Sequence, residues 1–285
     1  MLSPVEWKIK GGRSLGPAPF LVFGIVNVTP DSFHDGGQFL QRDAALAHAR
    51  EQAEAGAHVL DIGGESSRPY ADPVPLEAEL ARVLPVVEGL QGMRCENGLP
   101  WAISVDTYKA GTAAAVLDAG VEIINDISAF TFDPGLLDVL GQYKPGYVLM
   151  HSLGRPKDMQ RAPEYADVVE EILDFFEKKL KELITAGVPE SRIMLDPGVG
   201  FGKTLEHNIA LLRGMDRFAS LGLPLMAGIS NKSMFGALCD APAGQRQNAT
   251  QAATAILASR GVFAHRVHDV ALTVQTLKVA EALAL

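Results

Sequence analysis

The chain reads as an α/β protein, a (β/α)8 barrel in a single domain over residues 1–285, and three observations lead there. Short apolar runs alternate with longer amphipathic stretches eight times, the rhythm of parallel strands joined by right-handed helical crossovers. The runs end in polar or glycine-rich residues, as strands do in folds whose loops carry the chemistry at the strands' carboxyl ends. The competing architecture, a doubly wound open sheet, uses fewer strands and a Gly-x-Gly-x-x-Gly turn after the first one, which is absent here.

In chain order, residues 1–19 form an N-terminal extension, with 5–15 expected as a hairpin closing the base of the barrel. Strands are expected over 21–27, 57–62, 101–106, 121–125, 146–150, 192–196, 224–229 and 262–267. Helices are expected near 42–55, 75–91, 108–119, 133–142, 164–186, 205–220, 247–260 and 269–284. Asp269 precedes the last of these, where its carboxylate can accept hydrogen bonds from free backbone amides. The Ala-rich stretches 110–119 and 251–259 combine high helix propensity with small side chains, which suits helices lying close to a sheet. No linker or low-complexity tract divides the chain.

Composition narrows the class. With 47% apolar and 21% charged residues, the chain has material for a full core. No run approaches a membrane span, and the first residues lack a charged-then-apolar signal segment, so a cytoplasmic protein is expected. Cys95 and Cys239 lie far apart without metal-ligand spacing, which fits a reducing compartment and inert thiols. A formal charge of −9 argues against a nucleic-acid partner. Any anionic substrate then needs positive charge gathered at one place.

The polar residues at the strand ends are such a gathering. The first strand delivers Asn27 into a loop of Asn, Asp and Gly that holds Phe33, His34 and Asp35. The second ends at Asp61, followed by Ser67, Arg68 and Pro69; the third ends at Asp106 and the fourth at Asn125-Asp126. The fifth ends near Met150-His151, and the sixth at Asp196 before a glycine-rich turn with Phe201 and Lys203. Ser230, Asn231, Lys232 and Ser233 follow the seventh, and the eighth carries Arg266 and His268. One aspartate after a strand is commonly a cap or turn residue. Eight strands ending this way describe a site.

Residue types suggest the ligand. Asp106, Asn125 and Asp196 suit a flat heterocycle with N–H donors, because a carboxylate can accept two parallel hydrogen bonds from an amidine-like edge. Arg266 can stack its planar guanidinium on such a ring. Asn27 offers a hard oxygen to Mg²⁺, which takes few protein ligands when phosphates and water complete its shell. Arg68 and His268 would face those phosphates.

Seven segments in order carry a family resemblance: Asn27–Gly37, Asp61–Pro69, Ser104–Lys109, Ile124–Ser128, Asp196–Lys203, Ser230–Gly236 and Arg266–Val270. Over residues 20–285 the chain resembles bacterial dihydropteroate synthases, barrel enzymes that join 6-hydroxymethyl-7,8-dihydropterin diphosphate to 4-aminobenzoate and release pyrophosphate. The resemblance implies a pterin site of Asp106, Asn125, Asp126, Met150, Asp196, Phe201, Lys232 and Arg266. It implies a diphosphate site of Asn27, Ser67, Arg68 and His268, with Asn27 acting through Mg²⁺. The aminobenzoate would meet Phe33, Ser67, Pro69, Phe201, Ser230 and Ser233, and Asp35 would lie near the reacting carbon. A homodimer formed through helices on the outside of the barrel is implied as well. Ser67 stands where threonine is common and Asn231 where arginine is, changes that bear on aminobenzoate and sulfonamide affinity; His34 reads as a loop residue.

The chemistry this implies is dissociative substitution. No serine, cysteine or lysine has a base beside it in sequence, so a covalent intermediate has little support. Three other readings compete: a Schiff-base aldolase using Lys232 or Lys203, a pterin-binding methyltransferase serving a corrinoid protein, and a paralogue that binds pterin without turnover.

Overall fold

The computed structural model describes residues 2–29, 38–93 and 101–283. Its elements run β1 (Val5–Lys8), β2 (Ser14–Ala18), β3 (Leu21–Asn27), α1 (Gln38–Glu54), β4 (Val59–Gly63), α2 (Leu76–Leu90) and β5 (Ala102–Asp106). They continue with α3 (Ala110–Asp118), β6 (Ile123–Asp126), α4 (Gly135–Tyr143), β7 (Gly146–Met150), α5 (Val168–Thr185), β8 (Ile193–Asp196) and α6 (Leu205–Arg213). Last come β9 (Leu225–Ala227), α7 (Ser233–Cys239), α8 (Gln247–Ser259), β10 (Val262–Val267) and α9 (Val270–Leu283). Strands β3 to β10 close into one parallel barrel in the order β10-β3-β4-β5-β6-β7-β8-β9, and β1 pairs antiparallel with β2 outside it. The fold is the (β/α)8 barrel expected from the sequence.

Two apolar layers hold it together. Helices α1 to α9 pack Val, Leu, Ile and Phe against the outer face of the strands. Inside the lower half, Leu21, Phe23, Val59, Ala102, Val148, Met194 and Met226 meet Trp7, Ile9 and Leu15 from the hairpin region. Trp7 is fully buried, 6.2 Å from Phe23 between ring centroids. The hairpin thus plugs one end of the barrel and leaves the other end for polar side chains.

Register makes that other end level. Gly63 lies opposite Asp106, Asp106 opposite Asn125, and Met150 opposite Asp196. Residues two apart on a strand share a face, so the last inward position of each of these strands opens on the same mouth.

Several boundaries differ from the sequence reading, each for a local reason. Strands expected from 57, 101, 121, 192 and 224 begin one or two residues later. The helix expected over 164–186 begins at Val168, because Asp167 caps it by accepting from Val169 N at 2.9 Å and Glu170 N at 3.1 Å. The helix expected over 108–119 begins at Ala110, whose amide donates to Asp133 Oδ2 at 2.8 Å from the next loop. The stretch 205–220 breaks at Gly214, where a side chain would meet Val169, and continues as a 3₁₀ turn. Asp269 does cap α9, accepting from Leu272 N at 3.0 Å.

Candidate active site

The floor of the open mouth is built from consecutive inward positions. Arg266 reaches across from β10, donating from Nε to Asp61 Oδ2 at 2.5 Å and from Nη2 to Asp106 Oδ2 at 2.7 Å. Asn125 Nδ2 donates to the same Asp61 oxygen at 3.1 Å. Asp196 completes the set from β8, its Oδ1 accepting from Gly198 N at 2.8 Å. Two atoms below the floor, Asp61 Oδ1 and Ser104 Oγ, are buried without a partner in the described structure.

Burial governs the charges here. It pushes the Asp106 carboxyl up to about 7, Arg266 pulling it back and Asp61 adding to the rise. Asp196 is raised by burial too, against the pull of Lys232. Lys232 is lowered to about 8 by burial, Asp196 opposing. Its ammonium donates to Val199 O and lies 4.4 Å from the centroid of the Phe201 ring. The arrangement offers carboxylate and amide acceptors to a donor-rich planar ligand, with cations alongside.

The rim beside β3, β4 and β10 is cationic. His268 Nδ1 lies 3.0 Å from Ser230 Oγ. Desolvation at the crowded rim, then the charges of Arg266, Arg68, His48 and Lys232, hold the imidazole at about 4, so it is neutral at pH 7. Repulsion by so many positive groups marks a place suited to an anion. Asn27 Oδ1 faces Gly63 at the same edge, close to where a Cβ on Gly63 would stand.

Apolar walls and pinned loops close the sides. Tyr108, Ile127 and Met150 cluster with Phe132 and Phe201. The turn after β8 is fixed by Lys203, fully buried, whose Nζ lies 3.0 Å from each of Gly198 O, Phe201 O and His151 Nδ1. Burial and Lys232 lower Lys203 to about 7. Gly198 has φ +69°, and a side chain there would collide with the His151 carbonyl. Residues 156–165 strap this turn to the loop after β4: Tyr70 N donates to Pro156 O at 2.9 Å, and Gln160 Nε2 to Gly200 O at 2.7 Å.

Comparison with known proteins assigns this architecture. The model of the pterin-binding enzyme family matches residues 23–268. The dihydropteroate synthase of Haemophilus influenzae is 41% identical over 92% of this chain and 94% of its own. The chain belongs to the dihydropteroate synthase family. Among solved structures, the dihydropteroate synthase of Xanthomonas albilineans with 4-aminobenzoic acid superposes with a TM-score of 0.88, at 42% identity over 99% of this chain and 98% of that one. The same enzyme in complex with 7,8-dihydropteroate gives a TM-score of 0.85, at 39% identity over 98% of both chains.

Within that family frame, the structure brings Asp106, Asn125, Asp196 and Arg266 together on the floor, with Lys232, Phe201 and Met150 beside them. Arg68 and His268 share the rim. Ser67 lies in the cleft between the loops after β4 and β5. Ser233 opens α7 on the exposed surface. Phe33, His34 and Asp35 lie outside the described residues.

One expectation needs correction, and a second residue gains a neighbour. Asp126 follows inward-facing Asn125 and so points out of the barrel, where its carboxylate accepts from Ser128 N at 2.7 Å, Phe130 N at 2.6 Å and the Tyr147 hydroxyl at 2.8 Å. It fixes the loop after β6 and has no place in a pterin set. Ser230 is buried with its hydroxyl 3.0 Å from His268 Nδ1, which sets it beside the imidazole rather than on the surface like Ser233. Asp61 is the residue the sequence reading noticed but left without a role. Its signal was available, since a lone aspartate stands in an apolar run two residues before Gly63, and the register sets it on the inward face opposite Ser104.

Proposed function

We propose that this chain is a working dihydropteroate synthase, condensing 6-hydroxymethyl-7,8-dihydropterin diphosphate with 4-aminobenzoate to 7,8-dihydropteroate and pyrophosphate. The observation carrying this reading is the juxtaposition of a carboxylate and amide floor with a cationic rim in one mouth. A pterin edge rich in N–H donors suits the floor, and a diphosphate suits the rim.

In this reading Asp106, Asn125 and Asp196 accept from the pterin ring and its amino group, Lys232 donates to a ring acceptor, and Met150 and Phe201 wall the ring. Arg266 leaves its pairing across the floor far enough to lie on the ring face. Arg68, Ser67 and His268 hold the diphosphate, His268 donating a hydrogen bond from a neutral ring steered by Ser230. Phe33, Pro69, Phe201, Ser67 and Ser233 receive the aminobenzoate, and Asp35 stands near the reacting carbon.

A Mg²⁺ ion fits this rim. Asn27 offers one neutral amide oxygen there, and no group of three or more His, Cys, Asp or Glu able to hold a metal occurs among the described residues. An ion held mainly by substrate oxygens and water, with Asn27 as its protein ligand, matches magnesium's habits. When bound it offsets charge on the departing pyrophosphate.

The reaction runs as a dissociative substitution. The bond from the methylene carbon to the diphosphate oxygen breaks first, with Arg68 and His268 stabilising the leaving anion. The pterin ring delocalises the cation, and Asp35 stabilises it electrostatically. The neutral aniline nitrogen then forms the new bond and sheds a proton, so positioning matters more than prior deprotonation.

Other readings lose ground. Lys203 directs its protons to two carbonyls and a histidine nitrogen and Lys232 donates to Val199 O, so both amines are engaged as hydrogen-bond donors rather than presented as free nucleophiles. The cationic rim has no task in a corrinoid methyltransferase. No helix among the described residues is long and apolar enough to cross a membrane. Ile256 and Val279, exposed on α8 and α9, suit a homodimer contact on the outside of the barrel.

The test is pyrophosphate release from the pterin diphosphate with Mg²⁺, with and without 4-aminobenzoate, alongside chromatography for dihydropteroate. Coupled release and product support the synthase. Tight pterin binding without product would leave only a binding paralogue, and no pterin binding would reopen the aldolase.

A further inference from the structure

A buried ionic cluster lines the same cleft as Ser67 and Asp106. Lys109 Nζ lies 2.6 Å from Glu65 Oε2 and 2.9 Å from Glu79 Oε2. The side chains of Lys109, Glu65 and Glu79 are only 14%, 10% and 1% exposed. Three further donors tie the carboxylates down: Thr112 Oγ1 to Glu79 Oε2 at 2.8 Å, Tyr108 Oη to Glu65 Oε1 at 2.8 Å, and Val74 N to Glu65 Oε2 at 2.8 Å. Glu65 and Lys109 both fall within segments that carry the family resemblance, yet the reaction gives neither a task.

Stability alone is a poor reason for such a cluster. Desolvating two carboxylates and an ammonium costs as much as their attraction returns, and apolar residues of similar volume often do as well. What a cluster tied at this many points does supply is a single geometry. Here that geometry belongs to the loop after β4. Glu65 opens the loop and accepts the amide of Val74 nine residues later, so the base is closed, and Arg82 Nη1 donates to Gly64 O at 2.7 Å just before it. Between those ties lie Ser67, Arg68 and Pro69. Two carboxylates share one ammonium, so without it they would repel each other at short range and the base would open.

We propose that Lys109 is a positioning residue for the diphosphate half of the site, holding the loop that carries Ser67 and Arg68 by pinning Glu65 to Glu79. It rests on the synthase reading for its catalytic consequence but not for its structural one. The loop's far side is tied independently, through Tyr70 to Pro156 and Asp72 to Lys157 at 2.7 Å, so Lys109 governs where the loop starts rather than whether it exists. The pterin floor keeps its own ties, Arg266 to Asp61 and Asp106 and Asn125 to Asp61, none of which runs through Lys109.

The experiment compares wild type with Lys109→Met and Lys109→Arg, measuring 6-hydroxymethylpterin binding, Mg²⁺-pyrophosphate binding, KM for the pterin diphosphate, and amide exchange over 66–74. Lys109→Met is expected to keep pterin affinity within about twofold while pyrophosphate affinity falls and KM rises by about tenfold or more, in proportion to the loss of one buried ion-pair partner. Exchange over 66–74 is expected to quicken by a similar factor while the barrel strands stay protected. Lys109→Arg restores most of the difference. If Lys109→Met fails to fold, Glu65→Gln keeps the Lys109–Glu79 pair and is expected to show the same selective pattern at smaller size. Equal losses of pterin and pyrophosphate affinity, or unchanged exchange over 66–74, overturn the proposal. Wild type that releases no pyrophosphate would count against the synthase reading alone, since the exchange rates still decide what Lys109 does.

Discussion

The two ends of the barrel are made by the same strands and solve opposite problems. At the plugged end, Trp7, Ile9, Phe23, Ile123 and Met226 are buried in an apolar cluster that needs only to be full. At the open end, the next inward positions along those strands hold Asp61, Asp106, Asn125, Asp196 and Arg266, buried charges that balance imperfectly. Asp106 is pushed toward neutrality and Asp61 keeps an oxygen with no partner in the described structure. One end supplies cohesion, and the other holds binding groups in a state that folding alone would not favour. A pterin edge would relieve that tension by providing the donors the floor lacks.

Mutation should separate the ends cleanly. Asp196→Ala is expected to lower kcat/KM by about 100-fold or more, because it removes an acceptor from a site built to hydrogen-bond its ligand. Its melting temperature should change little, since it also relieves a raised, buried carboxylate. Steady-state kinetics beside a thermal melt checks both halves, and wild-type turnover would remove Asp196 from the pterin floor. Trp7→Ala should do the reverse. Emptying the plug is expected to cost about 3–5 kcal/mol of stability, read by chemical denaturation, with kcat per folded molecule unchanged. A Trp7 variant with impaired turnover but intact stability would show that the plug end communicates with the site.

How much of this was legible from sequence follows from the same contrast. Strand order was legible because burial on both faces leaves apolar runs, and Asp269 announced its cap, but the seven-residue α7 was too short to show a period and is absent from the helices expected. The break at Gly214 was not legible either, although the close approach of Val169 there leaves no room for a side chain. Asp106, Asn125, Asp196 and Arg266 were legible as site residues because polar groups ending apolar runs are costly and so meaningful. Asp126 misled because adjacency in sequence looks like adjacency in space, whereas a strand turns neighbours to opposite faces. The pairing of Ser230 with His268 was not legible, since only the fold brings two residues 38 apart together. The grouping of Glu65, Glu79 and Lys109 needed three elements to converge, which no spacing rule announces.

Asp126 offers a sharper version of the comparison, because it is a buried carboxylate at the open end that serves structure. Asp126→Asn replaces an acceptor of three donors with a group that can accept from them on only one side. The expected cost is about 1–3 kcal/mol of stability, with pterin affinity unchanged. Calorimetric binding beside denaturation decides the matter. A pterin Kd that weakens with no loss of stability would return Asp126 to the site.

The smallest expected effect concerns pH and tests whether the floor is held near neutrality for a purpose. Asp106 accepts from a ligand best as the carboxylate, and burial holds its group up at about 7 in the unliganded site. Its folded value therefore lies above the ordinary carboxyl range, so protein and proton part only as pH rises through about 7. Pterin affinity should then strengthen several-fold between about pH 6 and 8. His268, held at about 4, stays neutral across that window and adds no slope of its own. Lys232, lowered to about 8, loses charge toward the upper end and bends the curve back. Asp106→Asn keeps the shape of the group and removes its titration, so its weaker binding should lose the rising limb while any fall above pH 8 persists. Titration of 6-hydroxymethylpterin across this range, wild type against variant, reads the limb directly; the same rise in both would assign it to another group.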